Sequence, residues 1–138
     1  MTSTVIYAGQ QRTVGTHLKS GSQIETDAPV DNKGKGERFS PSDLVATALG
    51  SCMLTIMGMR AEEMDVDLTD TKIDIEKIMK ADPRRIGAIN LTFRFPETLV
   101  LTDRQQTILQ KAAETCPVIY SINPDIKVDV KFNWPVTA

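Results

Sequence analysis

The chain has 138 residues, and at about 100–200 residues per domain this length predicts a single domain over residues 1–138. Hydrophobic residues make up 41% of the sequence and charged residues 25%, which excludes collagen-like, disordered and disulfide-dense proteins. The formal net charge is −2, so the composition gives no electrostatic indication of a nucleic-acid partner or of a membrane surface.

The cellular setting follows from what the sequence lacks. No apolar run reaches the ~18 residues that a membrane span needs, and the first residues do not have the basic and apolar blocks of a signal peptide. We therefore expect a cytoplasmic protein. A reducing compartment keeps thiols free, so Cys52 and Cys116 are expected to be packed or reactive rather than permanently bridged. Together with His17 they offer only three soft ligands without paired spacing, which argues against a zinc site.

Short β-rich stretches open the chain. Residues 4–8, about 12–18 and 22–26 contain β-branched side chains and are separated by glycines, which predicts short strands joined by turns. The segment from Asp27 to Phe39 is rich in Gly, Lys and Asp. This composition predicts a mobile surface loop.

A long apolar segment then begins at Ser40. Ser40 suits the N-cap, Pro41 the first helical position and Asp43 the acid of a capping box, so we predict a helix of about 23 residues. Apolar residues at helical spacing predict one stripe, made of Leu44, Val45, Ala48, Leu49, Cys52, Ile56 and Met59. Other faces are apolar too, and a helix that is apolar most of the way round is expected to be a buried central helix.

The remaining chain alternates between strands and helices. Residues 69–80 and 86–95 predict a hairpin with Ile78 facing inward. The alternation of apolar and polar residues is interrupted near Lys77, which indicates a bulge. Thr102 and Gln105 fit a capping box for an amphipathic helix from about 103 to 115. After Pro117 we expect a short helical turn and then an edge strand over 126–132. The order of elements predicts an α+β fold with a predominantly antiparallel sheet.

The two cysteines differ in their predicted surroundings. Cys52 lies on the apolar stripe, where a thiol behaves as a small core residue and stays inert unless a cation offsets the loss of solvation. Cys116 precedes Pro117 and fits an N-cap, where a helix dipole favours a thiolate. We expect Cys52 to be reached through a narrow apolar pocket and Cys116 to have a path to solvent. If the two met, their disulfide would close a long loop, nominally worth about 4 kcal/mol.

Charged residues near the predicted helix are candidates for activating a thiol. Arg12 and Arg38 lie in segments expected to pack near it, and a guanidinium stabilises a thiolate and binds a peroxide oxygen. Asp43 could orient such a cation in addition to capping the helix. The alternative is that both arginines are ordinary solvated residues and that Asp43 is only a cap. His17 is a lone histidine on a strand without a visible partner.

Two segments together resemble the OsmC/Ohr family. FSPSDLVATALGSCMLTIMGM resembles the family's helix, which opens with Pro and an acid and carries Gly-x-Cys. CPVIYSINPDIKVDVKF resembles the family's second-cysteine segment and closing strand. The resemblance covers nearly the whole chain. It implies an α+β fold formed by an intertwined homodimer, in which two long helices are buried against sheets from both chains.

The resemblance also implies a function, namely thiol-dependent reduction of organic hydroperoxides in oxidative stress defence. Cys52 matches the peroxidatic cysteine and Cys116 the resolving one. Family members place an Arg against the peroxidatic thiolate and an acid against that Arg. No metal, flavin or haem is implied, and the reductant is an external dithiol such as a lipoyl protein.

For the family's acid and for its arginine, this chain offers residues at more than one position. The hydroperoxide-resistance branch has Glu directly after the helix-opening Pro, whereas this chain has Ser42 there and Asp43 one place later, as in the wider OsmC-like branch. Arg12 resembles the N-terminal strand position of the arginine, and Arg38 the loop position. Two other functions remain open: a stress-response or small-molecule-binding protein without peroxidase turnover, and a thiol hydrolase that uses His17 as its base.

Overall fold

The computed structural model describes residues 1–135. In chain order the elements are β1 (Ser3–Gly9), β2 (Arg12–His17), β3 (Gln23–Asp27), α1 (Pro41–Glu63), β4 (Lys72–Lys80), β5 (Arg85–Arg94), α2 (Asp103–Glu114), α3 (Pro117–Ser121) and β6 (Lys127–Asn133). The predicted α+β class is confirmed. The chain groups into two compact units, a first unit Met1–Val45 and a second unit that begins at Ala46.

The first unit contains an antiparallel sheet in the order β1-β2-β3. Its loop after β3 holds a short 3-10 turn, Val30–Asn32, and folds back on itself through hydrogen bonds from Gly34 N to Pro29 O (3.0 Å) and from Gly36 N to Ala28 O (3.1 Å). A Cβ at Gly34 would overlap the Ala28 carbonyl, so this position requires glycine.

The start of α1 has the predicted capping box. The Asp43 amide donates to Ser40 Oγ (3.1 Å), and the Ser40 amide donates to the Asp43 carboxylate (3.0 Å). Two amides at the helix start therefore have partners, which fixes the first residue of the helix.

The face of α1 that packs inside the second unit differs from the predicted stripe. Its buried residues are Ala46, Leu49, Gly50, Met53, Met57 and Ala61. Of the predicted stripe only Leu49 is fully buried, and Met59 is 58% exposed. The helix approaches the sheet closely at Gly50, where a Cβ would lie 2.5 Å from Ile75 Cδ1, so the face that contains Gly50 is the one that packs on the sheet.

The second sheet has the order β4-β5-β6. β4 and β5 are antiparallel, but β5 and β6 are parallel, because α2 and α3 cross over between them. The prediction of a mainly antiparallel sheet is thus correct for every pair except this one. The bulge lies between Ile78 and Met79; Lys77 pairs with buried Ile89, while Ile78 is 43% exposed. The predicted inward position of Ile78 is wrong because exposure alternates strictly along β4, which puts Lys77 on the side of Ile73 and Ile75 and puts Ile78 on the other side.

α2 and the closing strand complete the core. Thr102 and Gln105 form the predicted capping box, and Leu109, Ala112 and Ala113 are buried. An aromatic ladder, made of Phe93, Phe95, Phe132 and Trp134, lies along β5 and β6. Its Phe93 and Phe132 rings stack with centroids 4.7 Å apart. This ladder joins the two parallel strands by side-chain packing as well as by backbone hydrogen bonds.

By length and composition alone, α1 would meet the requirement for a membrane span, although no uninterrupted apolar run reaches that length. Its most apolar 18-residue window has a mean hydropathy of 1.5, and 33% of that window is buried within the chain. The core helix of a soluble protein passes the same test, so one such helix is weak evidence.

Candidate active site

Cys52 and Cys116 come together within the second unit. Cys52 lies in the fourth turn of α1, and Cys116 lies at the N-cap of α3. Both are free thiols; Cys52 packs against the buried cluster that contains Cys116 and lies close enough to affect the pKa of that thiol. The structure therefore places the two thiols where a disulfide could form between them.

The two thiols differ in access to solvent, in the opposite sense to the prediction. Cys116 is completely buried, whereas Cys52 is partly exposed and packs at the edge of the core. The prediction of a solvent path to Cys116 is wrong because Cys116 belongs to the buried core, in one cluster with Leu49 and Met53 of α1 and Ala113 of α2. An incoming reagent therefore reaches Cys52 first.

Burial also controls the protonation of Cys116. Loss of hydration raises the pKa of the Cys116 thiol above its ordinary value of 9.0, and the neighbouring Cys52 thiol adds to the shift. The amides of Ile119 and Val118 oppose it but do not cancel it. Although Cys116 has the N-cap position that was predicted, its side chain makes no capping hydrogen bond. Cys116 is accordingly a protonated thiol at neutral pH.

The first unit contains a cluster of charges, the Arg12 cluster, formed by Arg12, Glu25, Asp27, Glu37 and Arg38. Arg12 makes a bidentate pair with Asp27, with Nε–Oδ1 and Nη2–Oδ2 distances of 2.7 Å each. Arg12 Nη2 also donates to Glu37 Oε1 at 3.3 Å. The planar fork of the guanidinium is thus held by two carboxylates in one orientation.

Asp27 anchors this cluster. Its side chain is fully buried, and besides Arg12 it accepts a hydrogen bond from the Glu37 amide at 3.1 Å. The Arg12 hydrogen bonds, followed by the Glu37 amide, hold the pKa of the Asp27 carboxyl below its ordinary value. In turn Asp27 raises the pKa of Arg12, which stays positively charged. A buried ion pair that is fully hydrogen-bonded holds its members rigidly.

Arg38 is held less firmly. Its Nη1 donates to the carbonyl of Glu37 at 3.0 Å, and its Nε lies 3.6 Å from Glu25 Oε2. The Arg38 side chain is 46% exposed, compared with 21% for Arg12. Of the two candidate arginines, Arg12 is therefore the preorganised one.

The other sequence candidates have local partners. Asp43 closes the capping box with Ser40, as predicted, and Ser42 Oγ lies 3.3 Å from Ser40 Oγ. His17, at the end of β2, is exposed, and its Nδ1 lies 2.6 Å from Ser20 Oγ. Within residues 1–135 no group of three or more His, Cys, Asp or Glu side chains is arranged to hold a metal ion.

Sequence reasoning missed Asp27, the carboxylate that binds Arg12, and assigned it to a loop. The signal was present in the predicted hairpin of β2 and β3, because antiparallel pairing about residues 18–22 places Arg12 opposite Asp27. Opposite charges at facing positions of neighbouring strands attract one another, so the pairing register identifies the partner of Arg12.

Comparison with known proteins identifies the class. The model of the OsmC family, described as OsmC-like protein, matches residues 34–131. A crystal structure of a proposed osmotic stress induced and detoxification response protein from Psychrobacter arcticus 273-4 is 48% identical, with a TM-score of 0.92, covering 96% of each chain. The chain belongs to the OsmC/Ohr family.

More distant structures share the fold. An organic hydroperoxide resistance protein OsmC from Legionella pneumophila is 18% identical with a TM-score of 0.73, covering 97% of this chain and 98% of that one. The organic hydroperoxide resistance protein OhrB of Bacillus subtilis is 16% identical with a TM-score of 0.61, covering 96% and 98%. A search of functionally curated proteins gave no match.

Proposed function

We propose that this chain is a thiol-dependent peroxidase that reduces organic hydroperoxides, with Cys52 as the attacking thiol and Cys116 as the resolving thiol. The observation that carries the proposal is that a partly exposed Cys52 packs against the buried cluster that contains Cys116, close enough to affect its pKa. Membership in a family whose relatives include proteins named for organic hydroperoxide resistance supports it.

The first step takes place at the exposed thiol. The Cys52 thiolate attacks the distal oxygen of a hydroperoxide, the O–O bond breaks, and the products are a Cys52 sulfenic acid and an alkoxide that takes up a proton to become the alcohol. Sulfur is oxidised by two electrons and the peroxide is reduced by two. Cys52 packs at the edge of an apolar core, which favours a substrate with an alkyl group over hydrogen peroxide.

The second step uses the proximity of the two thiols. Cys116 sulfur attacks the sulfenic sulfur, the S–O bond breaks, and the Cys116 proton leaves with the hydroxyl as water. Because the two thiols already lie close together, little rearrangement is needed. An external dithiol, such as that of a lipoyl protein, then reduces the disulfide by exchange and is itself oxidised to a disulfide.

We assign Arg12 rather than Arg38 to the cation that the family resemblance places against the peroxidatic thiolate. Arg12 supports this assignment because Asp27 and Glu37 fix its guanidinium, whereas Arg38 is about half exposed. A preorganised donor stabilises a developing charge without reorganising during the reaction. On this proposal Asp27 takes the place of the family's acid, and Asp43 serves as the helix cap.

Mass spectrometry of three proteins exposed to cumene hydroperoxide tests the assignment. The wild type should lose two hydrogens and recover them with dithiol. Cys116→Ser should gain oxygen on Cys52, first as a trappable sulfenic acid and then by overoxidation, and Cys52→Ser should show no oxidation of Cys116 because that thiol is buried.

Two outcomes contradict this assignment. Oxygen on Cys52→Ser together with an unreacted Cys116→Ser would reverse the roles of the thiols. If no protein reacts, including the wild type, the chain is a stress-response or binding protein without peroxidase turnover. Cys116→Ala serves as the matched control for Cys116→Ser, since it also removes the resolving thiol but introduces no hydroxyl.

A further inference from the structure

A cavity lies between the second half of α1 and the loop that joins α1 to β4, within the second unit. It has a volume of about 410 Å³, and neither thiol lines it. Its apolar lining includes Leu54 of α1 and Val66 and Leu68 of the loop, and its polar lining includes Glu62, Asp67 and Thr71. A volume of this order, with an apolar wall and a few polar groups, is typical of a small-molecule site.

The chain around this cavity is strongly acidic. Residues 61–71 contain five acids and no Lys or Arg. Asp67 accepts hydrogen bonds from the Thr69 amide (2.9 Å) and from the Thr69 hydroxyl (2.6 Å). These bonds lower the pKa of the Asp67 carboxyl below its ordinary value, so the carboxylate is charged at neutral pH and held in one orientation. The C-terminal end of α1 adds negative potential, because the helix dipole has its negative end there.

Thr71 has a buried hydroxyl that lacks a partner. Thr71 lines the cavity, but its Oγ1 has no access to water and makes no hydrogen bond with any residue that the structure describes. An unpaired buried hydroxyl destabilises the folded chain. Rotation about the Cα–Cβ bond would turn Oγ1 toward a ligand without breaking a hydrogen bond, and the hydroxyl could then accept one from a donor in the cavity.

We propose that this cavity binds a small organic amine in its protonated form. The ammonium group pairs with Glu62 and Asp67 and donates to Thr71 Oγ1, while the hydrocarbon body covers the apolar wall. Two carboxylates select a cation over an anion, and the apolar wall selects a hydrocarbon body over a hydrated ion. The proposal does not depend on the peroxidase function.

The metal content of such a site is a natural alternative, which the donor arrangement disfavours. Within residues 1–135 no group of three or more His, Cys, Asp or Glu side chains is arranged to hold a metal ion. A divalent cation needs a shell of six or more oxygen ligands, whereas an ammonium group needs only three acceptors.

Three probes with the same hydrocarbon chain test the proposal by the amide chemical shifts of the wild type. At neutral pH hexylamine is a cation, 1-hexanol is neutral and hexanoate is an anion. Hexylamine should shift the amides of residues 62–71 and reach saturation, 1-hexanol should bind about tenfold more weakly or less, and hexanoate should not bind. Calcium chloride should not reproduce the saturable shifts.

Two variants of the cavity test the roles of its polar groups. Thr71→Val should weaken hexylamine binding about fivefold or more, and it should raise the urea midpoint of the free protein because the unpaired hydroxyl is gone. Glu62→Gln should also weaken hexylamine binding about fivefold or more and reduce its advantage over 1-hexanol. Thr92→Val on β5 and Glu114→Gln at the end of α2 are the matched controls and should bind hexylamine as the wild type does.

Several results would overturn this inference. They are the absence of saturable shifts in the wild type, equal shifts with calcium chloride or 1-hexanol, unchanged hexylamine binding in either cavity variant, and an equal loss in the controls. Met59 also lines the cavity and is 58% exposed, so light scattering accompanies the titration. If hexylamine changes the mass of the wild type, the cavity belongs to a surface between copies of the chain and the inference is wrong.

Discussion

The buried thiol makes protein stability depend on pH. Burial raises the pKa of Cys116 above 9.0 in the folded state, so above this pH the unfolded chain binds fewer protons than the folded one. The free energy of unfolding therefore falls as pH rises through the ordinary thiol pKa, and the contribution of Cys116 is fully present below it.

We expect the reduced wild type to lose stability more steeply than Cys116→Ala as pH is raised through 9.0, since alanine has no proton to lose. Urea unfolding at a series of pH values measures the difference in slope. The baseline stability of the alanine variant is lower because of the cavity, so the slope rather than the absolute value decides. Parallel slopes would show that Cys116 ionises as freely in the folded state as in the unfolded chain.

Arg12 and Arg38 give a second prediction at this scale. If Arg12 stabilises the Cys52 thiolate, Arg12→Ala should shift the pH profile of Cys52 alkylation upward by about one unit or more and slow peroxide attack. Lysine should rescue it poorly because it lacks the planar fork that Asp27 and Glu37 hold. Alkylation rates in Cys116→Ser, which has a single thiol, give the profile.

Arg38→Ala is the matched control and should leave the alkylation profile close to wild type. A shift with Arg38→Ala alone would move the assignment to the loop position. An unchanged profile in both variants would remove arginine from the site.

At the scale of a helix, α1 contains two glycines in contrasting surroundings. A Cβ at Gly58 would meet no atom within 4 Å, whereas one at Gly50 would lie 2.5 Å from Ile75 Cδ1. Gly58→Ala should stabilise the protein by about 0.8–1 kcal/mol through helix propensity. Gly50→Ala gains the same propensity but loses about 1–3 kcal/mol to overpacking, so it should be the less stable of the two.

Thermal unfolding of the two variants compares them within one helix. Equal midpoints for Gly50→Ala and Gly58→Ala would mean that Ile75 moves aside freely and that the helix does not depend on its close approach to the sheet.

The sequence predicts best the structural features that depend on residues close together in the chain. Both capping boxes and the beginnings of α1 and α2 were predicted, because a cap depends on residues three positions apart. Local sequence patterns could not predict that Cys52 and Cys116 lie close together, because residues distant in sequence meet only through tertiary packing. The family resemblance, not the spacing, pointed to that pair.

The errors share a physical origin. The buried face of α1 was misassigned because every face is apolar, so hydrophobic periodicity cannot select one, and the closest contact is made at Gly50. Ile78 was assigned to the inner side because it is apolar, but the strict alternation of β4 places Lys77 there and leaves Ile78 on the more exposed side. The parallel pairing of β6 depends on a crossover, which no local pattern specifies.

At the scale of the whole molecule, apolar surface remains exposed. Large apolar side chains that are more than half exposed include Val5, Ile6, Tyr7, Ile24 and Met59. Within α1 only a third of the most apolar window is buried within the chain, and exposed apolar surface of this kind is typical of an interaction site. These observations support the proposal of a homodimer, which the family resemblance implies.

We expect light scattering at micromolar concentration to give twice the chain mass of 15.2 kDa. Replacing Met59, which is 58% exposed, with glutamate should weaken this association by placing a charge on an apolar surface. Replacement of Lys127 by glutamate, on the charged side of β6, is the matched control. A clean monomer mass for the wild type would contradict the proposed dimer.

The aromatic ladder gives the protein a built-in optical reporter. Trp134 is the only tryptophan in the sequence, and its ring stacks on Phe95 and Phe132 with centroids 4.8 and 5.2 Å away. Its fluorescence spectrum will shift to longer wavelength when β6 leaves β5 and water reaches the indole. Since the first unit contains no tryptophan, this emission follows the second unit alone, whereas circular dichroism follows both. A circular dichroism transition that precedes the fluorescence transition would mean that the first unit opens while the thiol pair is still intact.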